Sequence, residues 1–202
     1  MKNIMRVIAL CLWVLSLGSC QEKGRINKNM AEKESAQTEI SAESIFDLES
    51  KWITQSKDSI SFKDLSDKIT VAAMVFTHCG SACPRIVADM QRIEKALSPA
   101  ELQQVQFLLI SMDPARDTPE RFVEFSEKHQ LNDNWTGISA NDDATMEIAN
   151  VLNVRVKRLS DGGFDHSNAI HLIDKNGNIV FQQNGLAQEP DEMIEKIKNL
   201  FK

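Results

Sequence analysis

The sequence predicts an α/β fold: a central mixed sheet flanked by helices, with a leading β-hairpin. Three observations predict it. Residues 69–76 (ITVAAMVF) and 105–112 (VQFLLISM) are apolar runs of strand length. Helical stripes follow each run, and an Asn176-Gly177 turn separates two later apolar segments. The two runs lack polar alternation, as strands buried on both faces do.

The remaining elements follow in order. Trp52-Ile53 and Ile60-Ser61-Phe62, with Lys57-Asp58 between them, suggest the leading hairpin. Pro84 opens a helix in which Val87, Met90, Ile93 and Leu97 recur at helical steps. Ser98-Pro99-Ala100-Glu101 is a capping box with proline at the first helical position, so a short second helix follows. Thr118-Pro119 starts another helix, carrying Phe122 and Phe125 inward. A strand over 135–138 precedes a helix over 142–152, read through Met146, Ile148, Ala149 and Leu152. A strand over 154–159 comes next, then a hairpin of 168–173 and 179–183. Pro190 begins the last helix, with Met193, Ile194, Ile197, Leu200 and Phe201 as its buried stripe. This order is that of a thioredoxin-like sheet, in which parallel crossovers are covered by helices and sites gather outside the carboxyl ends of the strands.

The 202 residues carry 23 basic and 29 acidic side chains, a net charge of −6. No basic excess exists to neutralise phosphates, which argues against a nucleic-acid partner. Hydrophobic residues at 42% and charged residues at 26% mark a globular chain. Four cysteines are too few for a disulfide-built scaffold, and a body this long buries a core without staples.

The first nineteen residues read as an export signal. Lys2 and Arg6 supply the positive start, residues 7–17 an apolar run, and Gly18-Ser19 the small pair before Cys20. The run is shorter than the roughly 20 residues of a transmembrane helix. Leu17-Gly18-Ser19-Cys20 resembles the bacterial lipobox, whose cysteine is lipidated and becomes the mature N-terminus. An uncleaved anchor, or an ordinary signal with an incidental cysteine, are the alternatives. Cys11 leaves with the signal. Cleavage leaves 183 residues, with 21 basic against 29 acidic groups, a net of −8. Residues 20–44 then form a polar tether spanning about 25–30 Å root-mean-square, and residues 45–202 the folded domain. That places the domain outside the cytoplasm, on the periplasmic side, held at the cell membrane by lipid on Cys20.

The mature body has two cysteines, Cys79 and Cys83, in the loop after the first buried strand. At a helix start, residues four apart share a face, close enough to hold one soft metal ion or to form a disulfide. The helix N-terminus favours thiolate over thiol at both. Three intervening residues, rather than the two of a thioredoxin-type oxidoreductase, widen the bite toward metal. A structural disulfide is the plainer reading, but so short a loop constrains the unfolded chain only modestly. Two thiolates need a third ligand from elsewhere. Of the four histidines, His129 ends an exposed helix and reads as solvated. His78 adjoins Cys79, so their side chains point apart, and His171 lies in a hairpin strand as surface or core. His166 sits in a flexible loop after Gly162-Gly163, where Asp165 could orient its ring.

Three stretches, FTHCGSACP, SMDPARDTPE and FDHSNAIHLID, resemble the signature segments of the Sco/SenC family in order and spacing. These are membrane-tethered, thioredoxin-fold proteins that serve assembly of the copper centre of cytochrome c oxidase. The similarity runs from about Trp52 to the last helix. It implies that Cys79, Cys83 and His166 bind copper, and it departs at Gly80, where the family commonly has proline. Thiolates select Cu(I), and an imidazole completes a three-coordinate site. Residues 113–119 should border the same rim as a rigid turn and helix cap, with Asp117 or Thr118 capping, rather than as a partner-docking element.

Two functions result. As a metallochaperone, the protein passes Cu(I) to an oxidase subunit or another cuproprotein. As a thiol-disulfide reductase, it keeps the target's cysteines reduced, with Cys79 and Cys83 as attacking and resolving thiols that form the Cys79–Cys83 disulfide on oxidation. Only the first requires His166. A peroxiredoxin expects its proline and threonine elsewhere.

Overall fold

The apolar runs form the middle of a mixed sheet. The structure, a computed structural model, describes residues 44–201, so the signal sequence, Cys20 and the tether up to residue 43 lie outside the described residues. Nine strands are seen among them: β1 (Trp52–Thr54), β2 (Ser59–Ile60), β3 (Ile69–Val75), β4 (Val105–Ser111), β5 (Trp135–Ser139), β6 (Val156–Arg158), β7 (Phe164–His166), β8 (Ala169–Ile173) and β9 (Ile179–Asn184). The helices are α1 (Ala82–Lys95), α2 (Pro99–Leu102), α3 (Pro119–His129), α4 (Asp142–Val151) and α5 (Asp191–Asn199). Seven strands make one sheet in the order β2-β1-β5-β4-β3-β8-β9, and β6 and β7 pair separately. Strands β3, β4 and β5 run parallel, while β8, β9 and the leading hairpin are antiparallel.

Every residue of β3 is buried, and β4 has one partly exposed position, Gln106. Such strands need cover on both faces. Helix α1 packs on β3 and β8, α3 on β5 and α5 on β9. At β5 the approach is close: a Cβ on Gly137 would lie 2.2 Å from the Phe122 ring of α3. Trp135 stacks on Phe107 with ring centroids 4.6 Å apart. No helix among the described residues is long and apolar enough to cross a membrane.

Several expectations change in detail. Phe62 leaves the leading hairpin and enters a 3-10 turn (Phe62–Leu65), its ring 5.4 Å from Trp52. Met146 is 44% exposed, because α4 turns Ala144, Ile148 and Ala149 inward instead. In α5, Met193 and Ile197 are buried, with Ile194, Leu200 and Phe201 at the margin. The loop expected around His166 is a strand, since β7 pairs with β6.

Candidate metal centre

Strands β3 and β4 end side by side, with Val75 opposite Ser111, so their loops emerge together at the carboxyl edge of the sheet. Two interactions shape the first loop. The buried Asp117 carboxylate accepts from the Thr77 backbone N–H at 3.0 Å and from its hydroxyl at 2.7 Å. The Cys79 N–H closes a turn onto the Phe76 carbonyl at 3.1 Å.

Helix α1 begins at Ala82, two residues before Pro84, and the Ser81 side chain makes no capping bond. First-turn N–H groups need acceptors. The Cys79 sulfur supplies one, accepting from the Cys83 N–H at 3.3 Å. The neighbouring Cys83 thiol, above all, and the backbone N–H groups of Cys83, Ser81 and Ala82 lower the Cys79 pKa from 9.0 to about 5, against partial burial. Cys83 behaves oppositely. It is fully buried and accepts from the Phe76 N–H at 3.5 Å. Its bond to Cys79 and its burial push its thiol well up, so the helix start does not favour thiolate at both sulfurs. Both cysteines are free thiols.

His166 pairs with Val156 across the β6–β7 ribbon, and Phe164 with Arg158. Alternation puts these four side chains on one face and exposed Asp165 on the other. Asp165 therefore does not orient the imidazole. The Ser167 carbonyl does, lying 3.1 Å from Nδ1. That bond places the proton on Nδ1 and leaves Nε2 to a metal. Phe76 receives both rings of the ribbon: Phe164 at 5.0 Å and His166 edge-on at 6.2 Å between centroids.

Cys79 and His166 line one cleft of about 390 Å³, together with His78, Gly80, Arg116 and Phe164. Cys83, buried next to Cys79, does not line it. The three expected donor atoms are not mutually within 4.8 Å; among the described residues, His78, Asp113 and Asp117 form the cluster at that spacing. Its carboxylates are already engaged: Asp117 also accepts from the Ser111 hydroxyl at 2.7 Å, and Asp113 pairs with Arg116 and with Arg158. Joining Cys79, Cys83 and His166 on one ion thus requires their side chains to converge across the cleft.

The other histidines are accounted for. His171 is fully buried in β8, its Nε2 donating to the Leu152 carbonyl at 2.8 Å, and desolvation lowers its pKa to about 4. His129 is half-buried rather than solvated, its ring 4.3 Å from Phe125. Thr118, not Asp117, caps α3, accepting from the Arg121 N–H. Sequence reasoning missed Asp113 and Arg158. The available signal was an aspartate placed directly after the mostly apolar run 105–112.

The family model described as SCO1/SenC matches residues 39–202. The chain belongs to the SCO1/SenC family. A SCO1 protein homologue of Bacillus subtilis is 26% identical over 150 residues, covering 72% of this chain and 77% of the relative. A SCO1/SenC family lipoprotein from Bacillus anthracis superposes with a TM-score of 0.71 at 28% identity, covering 78% of this SCO1/SenC chain and 96% of that one. ScoI of Bradyrhizobium japonicum, solved with copper bound, shares the fold with a TM-score of 0.64 at 24% identity, covering 75% and 96%. The thioredoxin-like expectation holds.

Proposed function

We propose that this protein is a membrane-tethered Cu(I) carrier in cytochrome c oxidase assembly. In this reading Cys79, Cys83 and His166 hold the ion, and lipid on Cys20 holds the domain outside the cytoplasm. The observation that carries it is the shared cleft: a low-pKa sulfur and an imidazole with Nε2 uncommitted open onto the same space. Sulfur donors suit Cu(I) over harder ions. Copper is cargo here. Cys79 engages first as thiolate, Cys83 gives up its proton on coordination, and the His166 side chain turns into the cleft to complete the site. An open cleft lets a recipient's ligands replace these donors stepwise.

The opposed thiol pKa values favour a second reading, that of a reductase of the recipient's cysteines. The Cys79 thiolate would attack a target disulfide and release one target thiolate. Cys83 would then lose its proton and attack Cys79 in the mixed disulfide, which releases the second target thiol and leaves Cys79–Cys83 oxidised. Titration of reduced, soluble protein with Cu(I), with and without His166→Ala, separates the two. The carrier reading expects the variant to bind about 100-fold more weakly, one donor's share of a metal site. Equal weak binding by both proteins, with disulfide reduction intact in both, refutes it.

A further inference from the structure

The segment after β4 joins two parts of the site that are far apart in sequence. Asp117 holds the cysteine loop through Thr77. Four residues earlier, Asp113 is fully buried beside Asp117 and reaches toward the β6–β7 ribbon. One of its oxygens takes the Nε of Arg116, and the other lies 3.3 Å from Nη1 of Arg158 in β6. Arg116 also donates to the Gly162 carbonyl, in the turn of the β6–β7 ribbon. The Arg158 guanidinium lies 4.9 Å from the Phe164 ring centroid, on the ribbon face that carries His166. Ser111 couples the halves: its Oγ accepts from the Asp113 N–H at 2.9 Å and donates to Asp117 at 2.7 Å.

We propose that Asp113, Arg116 and Arg158 form a positioning clamp that seats the His166 ribbon over the cysteine loop and so sets how well the imidazole reaches a bound ion. The ribbon's other ties are packing of Val156 and Phe164 on the core and on Phe76, and a 3.9 Å approach of Arg158 to the exposed Asp142. The ribbon is two strands of three residues outside the main sheet, and so short a pair is marginal alone. A buried carboxylate with a charge partner on either side of it gives the ribbon one preferred seat. Arg116 fastens the turn end, and Arg158 fastens the strand opposite Phe164. The effect on metal binding rests on the Cu(I)-carrier reading; the seating of the ribbon does not.

The experiment has two arms in the soluble protein. In the first, without metal, amide hydrogen exchange is compared between wild type, Arg158→Met and Arg158→Lys. Methionine keeps the stem against Phe164 and removes the charge. Lysine keeps the charge without the planar fork. Exchange over 156–166 should quicken about tenfold in Arg158→Met and less in Arg158→Lys, with β3 unchanged. Unchanged exchange in the ribbon overturns the clamp. In the second arm, Cu(I) affinity is measured by chelator competition for wild type, Arg158→Met, His166→Ala and the double variant. Arg158→Met should lose about tenfold, as loss of a ligand-orienting contact does, and should cost nothing further once His166 is gone. Additive losses overturn the positioning role. His166→Ala binding as tightly as wild type refutes the carrier reading, and the exchange arm then decides the clamp alone.

Discussion

The sulfur of Cys79 takes the place of the serine, threonine or aspartate that usually accepts from a helix's first turn. Sequence alone ranks Pro84 as the helix start because a thiolate cap has no compositional signal; only the 3.3 Å approach of the Cys83 N–H reveals it. The metal-free protein should show the consequence in alkylation by iodoacetamide. Cys79 should react with a midpoint near pH 5, while Cys83, held protonated by Cys79 and burial, stays unreactive at neutral pH. A Cys79 midpoint above pH 8 would contradict the cap. His171 carries a different linkage. Burial lowers its folded pKa from 6.5 to about 4, so between those values the unfolded chain takes up a proton that the folded protein refuses. Its contribution is fully present above pH 6.5 and is lost as pH falls toward 4, by about 2 kcal/mol between pH 7 and pH 5. Urea unfolding should show that loss in wild type and a smaller one in His171→Gln. Equal losses would refute the assignment.

At the scale of elements, β3 and β4 were readable because strands buried on both faces leave predominantly apolar runs without polar alternation. Helix α2 was readable from its capping box, whose two reciprocal bonds both form. Strand β7 was not, because Phe164–His166 is too short to display a period and follows two glycines. Met146 misled because its place off the inward face of α4 depends on that helix's rotation over the sheet, which composition does not encode. Two glycines allow opposite tests. A Cβ on Gly80 would meet nothing within 4 Å, so Gly80→Ala should raise stability by about 0.5 kcal/mol by restricting the unfolded chain. Gly137→Ala drives a methyl into the fully buried Phe122 ring and should cost about 2 kcal/mol. Denaturant midpoints moving the other way would contradict the packing of the cysteine loop in the first case and of α3 on β5 in the second.

Across the whole molecule, the sheet order brings the loops after β3 and β4 to one edge, and the β6–β7 ribbon adds His166 to the cleft that they border. The fold class and its family were legible because three motifs keep their order along the chain. The links among them were not, since Asp113 and Arg158 lie 45 positions apart and neither residue's surroundings signal the pairing. That distance in sequence is also why the ribbon's seat depends on tertiary contacts rather than on local propensity. The central claim is that one Cu(I) ion joins both cysteines and the ribbon's imidazole. X-ray absorption at the copper edge of protein loaded with one equivalent of Cu(I) tests it most directly. Two sulfurs and one imidazole nitrogen around copper are expected, with the nitrogen lost in His166→Ala; a sulfur-only shell in wild type would contradict it.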